Sequence, residues 1–267
     1  MAKAKVNGAE FYYEETGRGL PLTLVHGFGG LTGGWEGQVA GFSDKYRVIV
    51  YDLRGQGQSQ VTRTGNSAEN YVLDHYHLLR HLKIERTILV GHSMGAFISL
   101  KFTLDHPDMV KALVLVSANG GPVVPAVVNQ GVKNMATVAA YGIEALADVL
   151  LPVFFSPDFV KTHPEHVAGW RKRLDSMSEL GMMSVCAAMT VKPSLLERLP
   201  EIKVPTLIIL GDKDIAMPLS NARALNQGIP NSKLVIVPGG SHMFHEEQPQ
   251  LFNSIVSEFL EGTTGAG

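Results

Sequence analysis

The chain has 267 residues, of which 45% are hydrophobic and 18% are charged, and its formal net charge is -2. This length and composition are typical of one globular α/β domain with an insertion, and they exclude a disordered or fibrous chain. Because there is no strong charge excess and no run of like charges, the sequence predicts neither a nucleic-acid partner nor an anionic membrane surface.

The single cysteine, Cys186, excludes an intramolecular disulfide and is expected to be buried. Residues 1–15 lack the apolar core of a signal peptide, and no stretch approaches the roughly 18 apolar residues of a membrane span. The sequence therefore predicts a cytoplasmic protein without a membrane partner.

Short β-rich runs alternate with helical periodicity along the chain. The first half predicts strands at 10–15, 22–27, 46–52, 87–91 and 111–118, with helices at 67–82 and 94–105. The pattern resumes with strands at 206–212 and 233–240 and helices at 220–227 and 249–260. Apolar strands that alternate with helices predict an α/β fold with a mostly parallel, twisted sheet covered on both faces.

The segment between residues 119 and 204 predicts no strand but two amphipathic helical stretches, near 133–155 and 165–190. A connection this long in a compact domain usually has a function, so we expect a helical cap inserted between two strands, with an apolar roof. The predicted boundaries are 1–120 and 200–261 for the core, 121–199 for the cap and 262–267 for a disordered tail.

Residues 91–95, GHSMG, match the pattern G-x-S-x-G between a predicted strand and a predicted helix. Such a turn strains the serine backbone, and it needs the glycines because side chains there would clash with the neighbouring strand and helix. Free N–H groups at the helix N-terminus favour negative charge beside the serine. The context predicts Ser93 as a nucleophile.

A serine nucleophile needs a base. Among the ten histidines, His242 is best placed, because it follows the last predicted strand in a glycine-rich loop at the carboxyl edge of the sheet. His245 is the alternative, whereas the side chain of His92 is expected to point away from Ser93.

The base needs an orienting carboxylate. The loop LGDKDIAMP holds two acids, of which Asp214 lies deeper and is the candidate, while Asp212 is expected to brace the turn. In some proteins with such folds the orienting acid follows the preceding strand. Here that position offers only Ser117 and Asn119, which favours Asp214.

The segment VHGFGG, residues 25–30, follows an early strand, and its glycines let the backbone approach a ligand closely. The N–H of Phe28 would join that of Met94 in an oxyanion hole. His26 is expected to be structural, with its ring hydrogen-bonded under the loop.

Five segments in order, HGFGG, YDLRGQGQS, GHSMG, GDKDIAMP and GGSHMFHEEQP, resemble the α/β-hydrolase superfamily over about residues 5–260. The resemblance implies Ser93 as nucleophile, His242 as general base, Asp214 as its partner, and Phe28 and Met94 as oxyanion donors. It implies no metal and no organic cofactor.

One family loop contains a departure from the pattern. Asp52, Arg54 and Ser59 match a loop that is mainly structural in the family. Gln56 stands where many relatives carry histidine, which puts no catalytic role in doubt.

The chain looks most like small capped carboxylesterases and 3-oxoadipate enol-lactonases, which implies hydrolysis of a small ester or lactone through an acyl-enzyme. The alternatives are an enol-lactonase or carbon–carbon bond hydrolase of aromatic degradation, a cofactor-free haloperoxidase or perhydrolase, and a hydrolase-like ligand receptor. A serine nucleophile argues against dehalogenase and epoxide hydrolase chemistry. The oligomeric state is not predicted.

Substrate-binding candidates are spread over the core loops and the cap, and they are Trp35, Val123, Phe154, Met183 and Met243. The basic residues of the cap are expected to form a solvated face, and they are Lys161, Arg171, Lys172 and Arg173. Without a basic clamp, the sequence favours a neutral ester.

Overall fold

The computed structural model describes residues 2–264. Its strands are β1 (Ala2–Val6), β2 (Ala9–Thr16), β3 (Leu20–Val25), β4 (Tyr46–Tyr51), β5 (Thr87–His92), β6 (Val110–Val116), β7 (Thr206–Gly211) and β8 (Ser232–Val237). They form one sheet in the order β1-β2-β4-β3-β5-β6-β7-β8. The pairs β1–β2 and β2–β4 are antiparallel, and all later pairs are parallel.

The helices are α1 (Glu36–Phe42), α2 (Ala68–His81), α3 (Met94–Asp105), α4 (Pro125–Phe154), α5 (Pro157–Thr162), α6 (Pro164–Asp175), α7 (Glu179–Met189), α8 (Leu219–Gly228), α9 (Phe244–Glu247) and α10 (Pro249–Thr264). Residues of α2, α3 and α8 bury one face of the sheet, and residues of α1 and α10 bury the other. Alternate residues of β5, such as Leu89 and Val90, belong to the two cores in turn. The predicted fold class is confirmed.

The first strand of the sheet was not predicted. β1 reads AKAKV, in which two lysines alternate with apolar residues, so no continuous apolar run marks it as a strand. Asn7 and Gly8, with φ of 45° and 73°, connect it to β2. An Asn-Gly pair with two positive φ angles is the preferred two-residue hairpin turn, so the turn itself carried the missing signal.

The predicted cap is present as four helices between β6 and β7. Pro157 and Pro164 begin α5 and α6, because proline fits the first turn of a helix but interrupts a preceding one. α4 begins earlier than predicted, at Pro125, and is kinked at Gly142, where φ is 80°. α4 packs against α6 and α7, and their apolar side chains form a core of their own.

α4 is long and apolar enough to cross a membrane by length and composition, contrary to the expectation that no stretch approaches a span. A third of its most apolar window is buried within the fold. A packed helix of a folded domain meets the same test, so this is weak evidence for a membrane span.

The last helix is longer than predicted. α10 continues to Thr264, so residues 262–264 extend the helix where the sequence predicted the start of a disordered tail. Thr263 Oγ1 donates to the carbonyl oxygen of Phe259 at 2.7 Å, a bond that suits a helical residue. Residues 265–267 of the predicted tail lie outside the described residues.

Candidate active site

Ser93 lies on a strained turn between β5 and α3. Its φ of 52° and ψ of -113° are unusual for a residue with a side chain, and its N–H donates to the carbonyl oxygen of Val116 at 2.9 Å. A Cβ on Gly91 would overlap the carbonyl oxygen of Gly95, and a Cβ on Gly95 would overlap that of Val25. The turn therefore fits only glycine at these two positions.

His242 and Asp214 meet at the carboxyl ends of β8 and β7. Nδ1 of His242 lies 3.0 Å from Oδ2 and 3.1 Å from Oδ1 of Asp214, and both side chains are buried. Oδ1 also accepts from the N–H groups of Ala216 and Met217, each at 2.9 Å. Because an ionised carboxylate only accepts, Nδ1 carries the proton and Nε2 is left as an acceptor.

The Asp214 carboxyl is ionised in spite of its position. Burial raises its pKa, but the hydrogen bond and the charge of His242 outweigh burial and bring the pKa below the ordinary value of 3.8. The carboxylate can therefore stabilise a positive charge that develops on the His242 ring.

The alternatives to His242 and Asp214 have other partners. Nε2 of His92 donates to the backbone oxygen of His242 at 3.0 Å, so this ring fastens the loop rather than bonding Ser93. Burial and the neighbouring histidines hold the pKa of His92 well below its ordinary value, so the ring is neutral. Oδ1 of Asp212 accepts from the N–H of Gly239 at 2.7 Å and braces the turn, as expected.

His245 lies in the core behind the site. Its ring lies 4.6 Å from that of Trp35 and 4.5 Å from that of His92. Burial lowers the pKa of His245 to about 4. Trp35 also packs against Phe252, at 6.2 Å, so the predicted role of Trp35 in substrate binding is replaced by one in core packing.

The loop between β3 and α1 holds the candidate oxyanion donor Phe28. The carbonyl oxygen of Gly27 accepts from Gly30 N at 3.2 Å and from His26 Nδ1 at 2.7 Å. Because a trans peptide points its N–H opposite to its C=O, the Phe28 N–H points away from these two donors. A Cβ on Gly27 would lie 3.0 Å from the Cβ of Ser93, so this peptide lies beside the serine.

The two candidate oxyanion donors are free. Within residues 2–264, the N–H groups of Phe28 and Met94 have no hydrogen-bond acceptor. The Met94 N–H is the first of α3, where the helix dipole favours a negative charge. Both N–H groups are therefore available to donate hydrogen bonds to an anion.

His26 supports this loop from below. Nε2 of His26 accepts from Leu53 N at 3.0 Å while Nδ1 donates to Gly27, which defines one neutral tautomer. Burial lowers the pKa of His26, so the ring keeps this tautomer at neutral pH. The expected structural role of His26 agrees with these contacts.

The loop after β4 is a scaffold. The Asp52 carboxylate accepts from Thr32 N and Gln58 N, each at 2.8 Å, and Ser59 Oγ donates to the Asp52 carbonyl at 2.6 Å. Arg54 Nε donates to Oδ2 of Asp74 at 2.8 Å in a buried ion pair. These contacts fit the structural role that the resemblance implied.

The cap covers the site directly. The Phe154 ring lies 5.3 Å from that of His242, and Met243 N donates to the Phe154 carbonyl at 2.9 Å. A Cβ on Gly29 would lie 3.1 Å from Cδ1 of Leu174 on α6. The cap therefore contacts both the loop after β8 that carries His242 (the base loop) and the loop after β3 that carries Phe28 (the oxyanion loop).

Three other predicted pocket residues lie in or beside the cap. Met243 is fully buried in the cap core, against which the half-buried Met183 packs. Val123 is half-buried just before α4. Among these predicted residues, Phe154 is the one with a described ring contact to His242.

A cap-to-core contact at Glu246 was not predicted. Glu246 is buried, and its Oε2 accepts from Arg173 Nη2 at 2.6 Å and from His166 Nε2 at 2.9 Å. Arg173 was expected on a solvated face, but it is an ion-pair partner. Arg173 and Glu246 are 73 positions apart in the chain, so no local pattern predicts the pair. The one available signal was the position of Glu246 four residues after His242, which places it beside the candidate base.

Within the part of the chain that the structure describes, no cluster of three or more His, Cys, Asp or Glu residues could hold a metal ion.

Comparisons with known proteins agree with the fold and cover most of the chain. The family model of the α/β hydrolase fold matches residues 21–249. An enol-lactonase from Burkholderia xenovorans LB400 superposes with a TM-score of 0.92 at 30% identity, over 97% of this chain and 100% of that one. A thermophilic esterase from Thermogutta terrifontis gives a TM-score of 0.92 at 29% identity, over 98% of each chain.

A third solved structure has a different activity in its name. It is a bromoperoxidase from Bacillus anthracis, with a TM-score of 0.88 at 26% identity, over 97% of this chain and 99% of that one. All three likenesses include both the core and the cap. The chain belongs to the α/β-hydrolase family.

Proposed function

We propose that this protein is a serine hydrolase that cleaves carboxylic esters or lactones through an acyl-enzyme. The observation that carries the proposal is the buried hydrogen bond between His242 and Asp214 at the sheet edge where Ser93 occupies a strained turn. A nucleophile, a base and an orienting acid in this arrangement are what acyl transfer requires.

In the proposed first step, Nε2 of His242 takes the proton of Ser93 Oγ while Oγ attacks the substrate carbonyl carbon. The oxygen of the tetrahedral intermediate accepts from the N–H groups of Phe28 and Met94. Loss of one such donor typically costs about 3–4 kcal/mol of transition-state stabilisation. Asp214 holds the ring and stabilises its positive charge.

In the second step, His242 returns its proton to the leaving alkoxide and the C–O bond of the ester breaks. Water then loses a proton to His242 Nε2 and attacks the acyl-enzyme, and collapse of that intermediate frees Ser93 and the acid. In a lactone the leaving oxygen stays attached to the acyl group, so one product results.

The charges of α5 and α6 support a neutral substrate. Arg173 is paired with Glu246, and Arg171 Nη2 donates to Oδ1 of Asp148 at 2.7 Å. Lys161 and Lys172 are exposed. The described cations of α5 and α6 are thus paired or solvated, whereas the side chain beside His242 is the apolar Phe154.

A second candidate is perhydrolysis, in which hydrogen peroxide replaces water as the attacker of the acyl-enzyme. The likeness to a bromoperoxidase favours it, and it would use the same Ser93 acyl-enzyme. Peracid formation from acetate and hydrogen peroxide, detected by its oxidation of added bromide and the resulting bromination of monochlorodimedone, distinguishes it from ester hydrolysis.

The proposal is tested with p-nitrophenyl acetate and butyrate. The wild type should turn over both esters, and Ser93→Ala should lose at least about 10³-fold in kcat. Ser184→Ala is the matched control, because Ser184 is a serine on α7 whose Oγ donates to the Leu180 carbonyl oxygen of its own helix at 2.7 Å. A wild type with neither a burst nor steady release contradicts the proposal and favours ligand binding without turnover.

A further inference from the structure

Gln56 is fully buried in the loop after β4, and its side chain reaches the oxyanion loop. Its Oε1 accepts from the N–H of Gly29 at 2.9 Å. Gly29 has a φ of 71° and directly follows Phe28. Because peptides are planar, this bond fixes the peptide plane between Phe28 and Gly29.

The bond between Gln56 and Gly29 is the middle one of three hydrogen bonds by which the loop after β4 anchors the segment after β3. His26 is anchored by Leu53 N at 3.0 Å, and Thr32 N by the Asp52 carboxylate at 2.8 Å. Of the three anchored residues, Gly29 is the nearest to Phe28 in the chain. Loss of the Thr32 anchor would act on Phe28 through more rotatable bonds, whereas His26 holds the Gly27 side of the Phe28 N–H peptide through its bond to the Gly27 carbonyl oxygen.

The amide nitrogen of the Gln56 side chain adds no hydrogen bond within residues 2–264. Nε2 is buried and, among the residues that the structure describes, has no hydrogen-bond partner. A buried donor without a partner destabilises the folded state, so leucine would serve a packing role better. The side chain therefore matters for its acceptor oxygen.

We propose that Gln56 is a positioning residue for the oxyanion hole, which holds the Phe28 N–H in place through Gly29. The inference rests on the proposed hydrolysis through Ser93. Because the Phe28 N–H bonds the oxygen only when negative charge develops there, its displacement should lower kcat and leave KM nearly unchanged.

The test compares Gln56→Leu with Gln56→His on p-nitrophenyl butyrate. The leucine variant should lose about 10- to 100-fold in kcat, with KM within about threefold of wild type. The histidine variant offers a new acceptor for the Gly29 N–H and should recover most of the rate. Gln56→Met is the second variant if leucine prevents folding.

Gln60→Leu is the matched control. Gln60 lies on the same loop and its Oε1 also accepts from a backbone N–H, that of Glu10 at 3.0 Å, but it is exposed. This variant should keep the wild-type kcat. Hydrogen exchange should show a faster Gly29 amide in Gln56→Leu and an unchanged one in Gln60→Leu.

Two results would overturn the role of Gln56. One is a folded Gln56→Leu with kcat within about twofold of wild type, and the other is an unchanged rate of Gly29 exchange. A wild type without ester turnover contradicts the proposed function instead, and the exchange rates still decide whether Gln56 holds the loop.

Discussion

Asp214 and Asp212 stand two residues apart in one loop, yet their partners differ. Asp214 is buried against Nδ1 of His242, whereas Asp212 accepts from a backbone N–H of the turn. Asp214→Asn should therefore lose most of kcat, by up to about 10⁴-fold, because an amide no longer enforces the Nδ1–H tautomer. Steady-state kinetics on p-nitrophenyl butyrate measure this.

The matched control is Asp212→Asn, which keeps an acceptor oxygen for the Gly239 N–H and should retain a large part of the rate. Circular dichroism of both variants checks that they fold. The reverse order of activities would contradict the assignment of the orienting acid.

The closeness of Asp214 and His242 was predictable from the sequence, because each residue follows a strand of a parallel sheet. The carboxyl ends of β7 and β8 meet at one edge, so Asp214 and His242 had to lie close together. Trp35 was not predictable in the same way. An aromatic residue after a glycine loop fits a pocket or a core equally well, and only the contacts with His245 and Phe252 decide.

At the scale of elements, one carboxylate docks α6 onto the base loop. The side chain of Glu246 is 2% exposed, and Arg173 and His166 are both on α6. Arg173→Met leaves the buried charge with one partner, so the free energy of unfolding should fall by about 2–3 kcal/mol. Because α6 lies over Gly29, KM for longer acyl esters should also rise.

Urea denaturation and acyl-chain kinetics measure these effects. Arg171→Met is the control, because Arg171 is on the same helix but pairs with Asp148, whose side chain is 72% exposed. We expect its stability to change by less than about 1 kcal/mol. Equal losses in the two variants would contradict the docking role of Glu246.

Element boundaries were predictable where local signals are strong. Ser67 caps α2 by accepting from Asn70 N, and the predicted helix began at this residue. The cap was predictable as a helical insertion but not as four helices, because two of its turns depend on Pro157 and Pro164, and the kink of α4 on Gly142, within amphipathic runs. Long-range pairs such as Glu246 with Arg173 leave no local pattern.

At the scale of the whole molecule, buried neutral histidines set the acid stability. Burial lowers the pKa of His75 to about 3 and that of His245 to about 4, and it also lowers those of His26 and His92. The unfolded chain binds these protons near pH 6.5, so folding stability is full above that pH. It is lost as pH falls toward the folded pKa values, by about 1.4 kcal/mol per pH unit for each histidine.

Urea denaturation between pH 7 and pH 5 should show this loss, and His245→Phe should make the profile shallower, because the ring packs between apolar neighbours and no longer titrates. His77→Phe is the control, since His77 is exposed. A profile for His245→Phe as steep as that of the wild type would contradict burial of a neutral ring. Protonation of Asp214 also lowers the free energy of unfolding as the pH falls further, because the folded pKa of this carboxyl is lowered as well.

The central claim, that Ser93 is the nucleophile, is tested most directly by labelling with a fluorophosphonate and locating the adduct by mass spectrometry. The proposed site predicts one adduct on Ser93, formed by the wild type and absent from Ser93→Ala. Labelling should be strongly slowed in Asp214→Asn, because the base is no longer oriented. An adduct on any other residue, or an active wild type that forms none, would contradict the account.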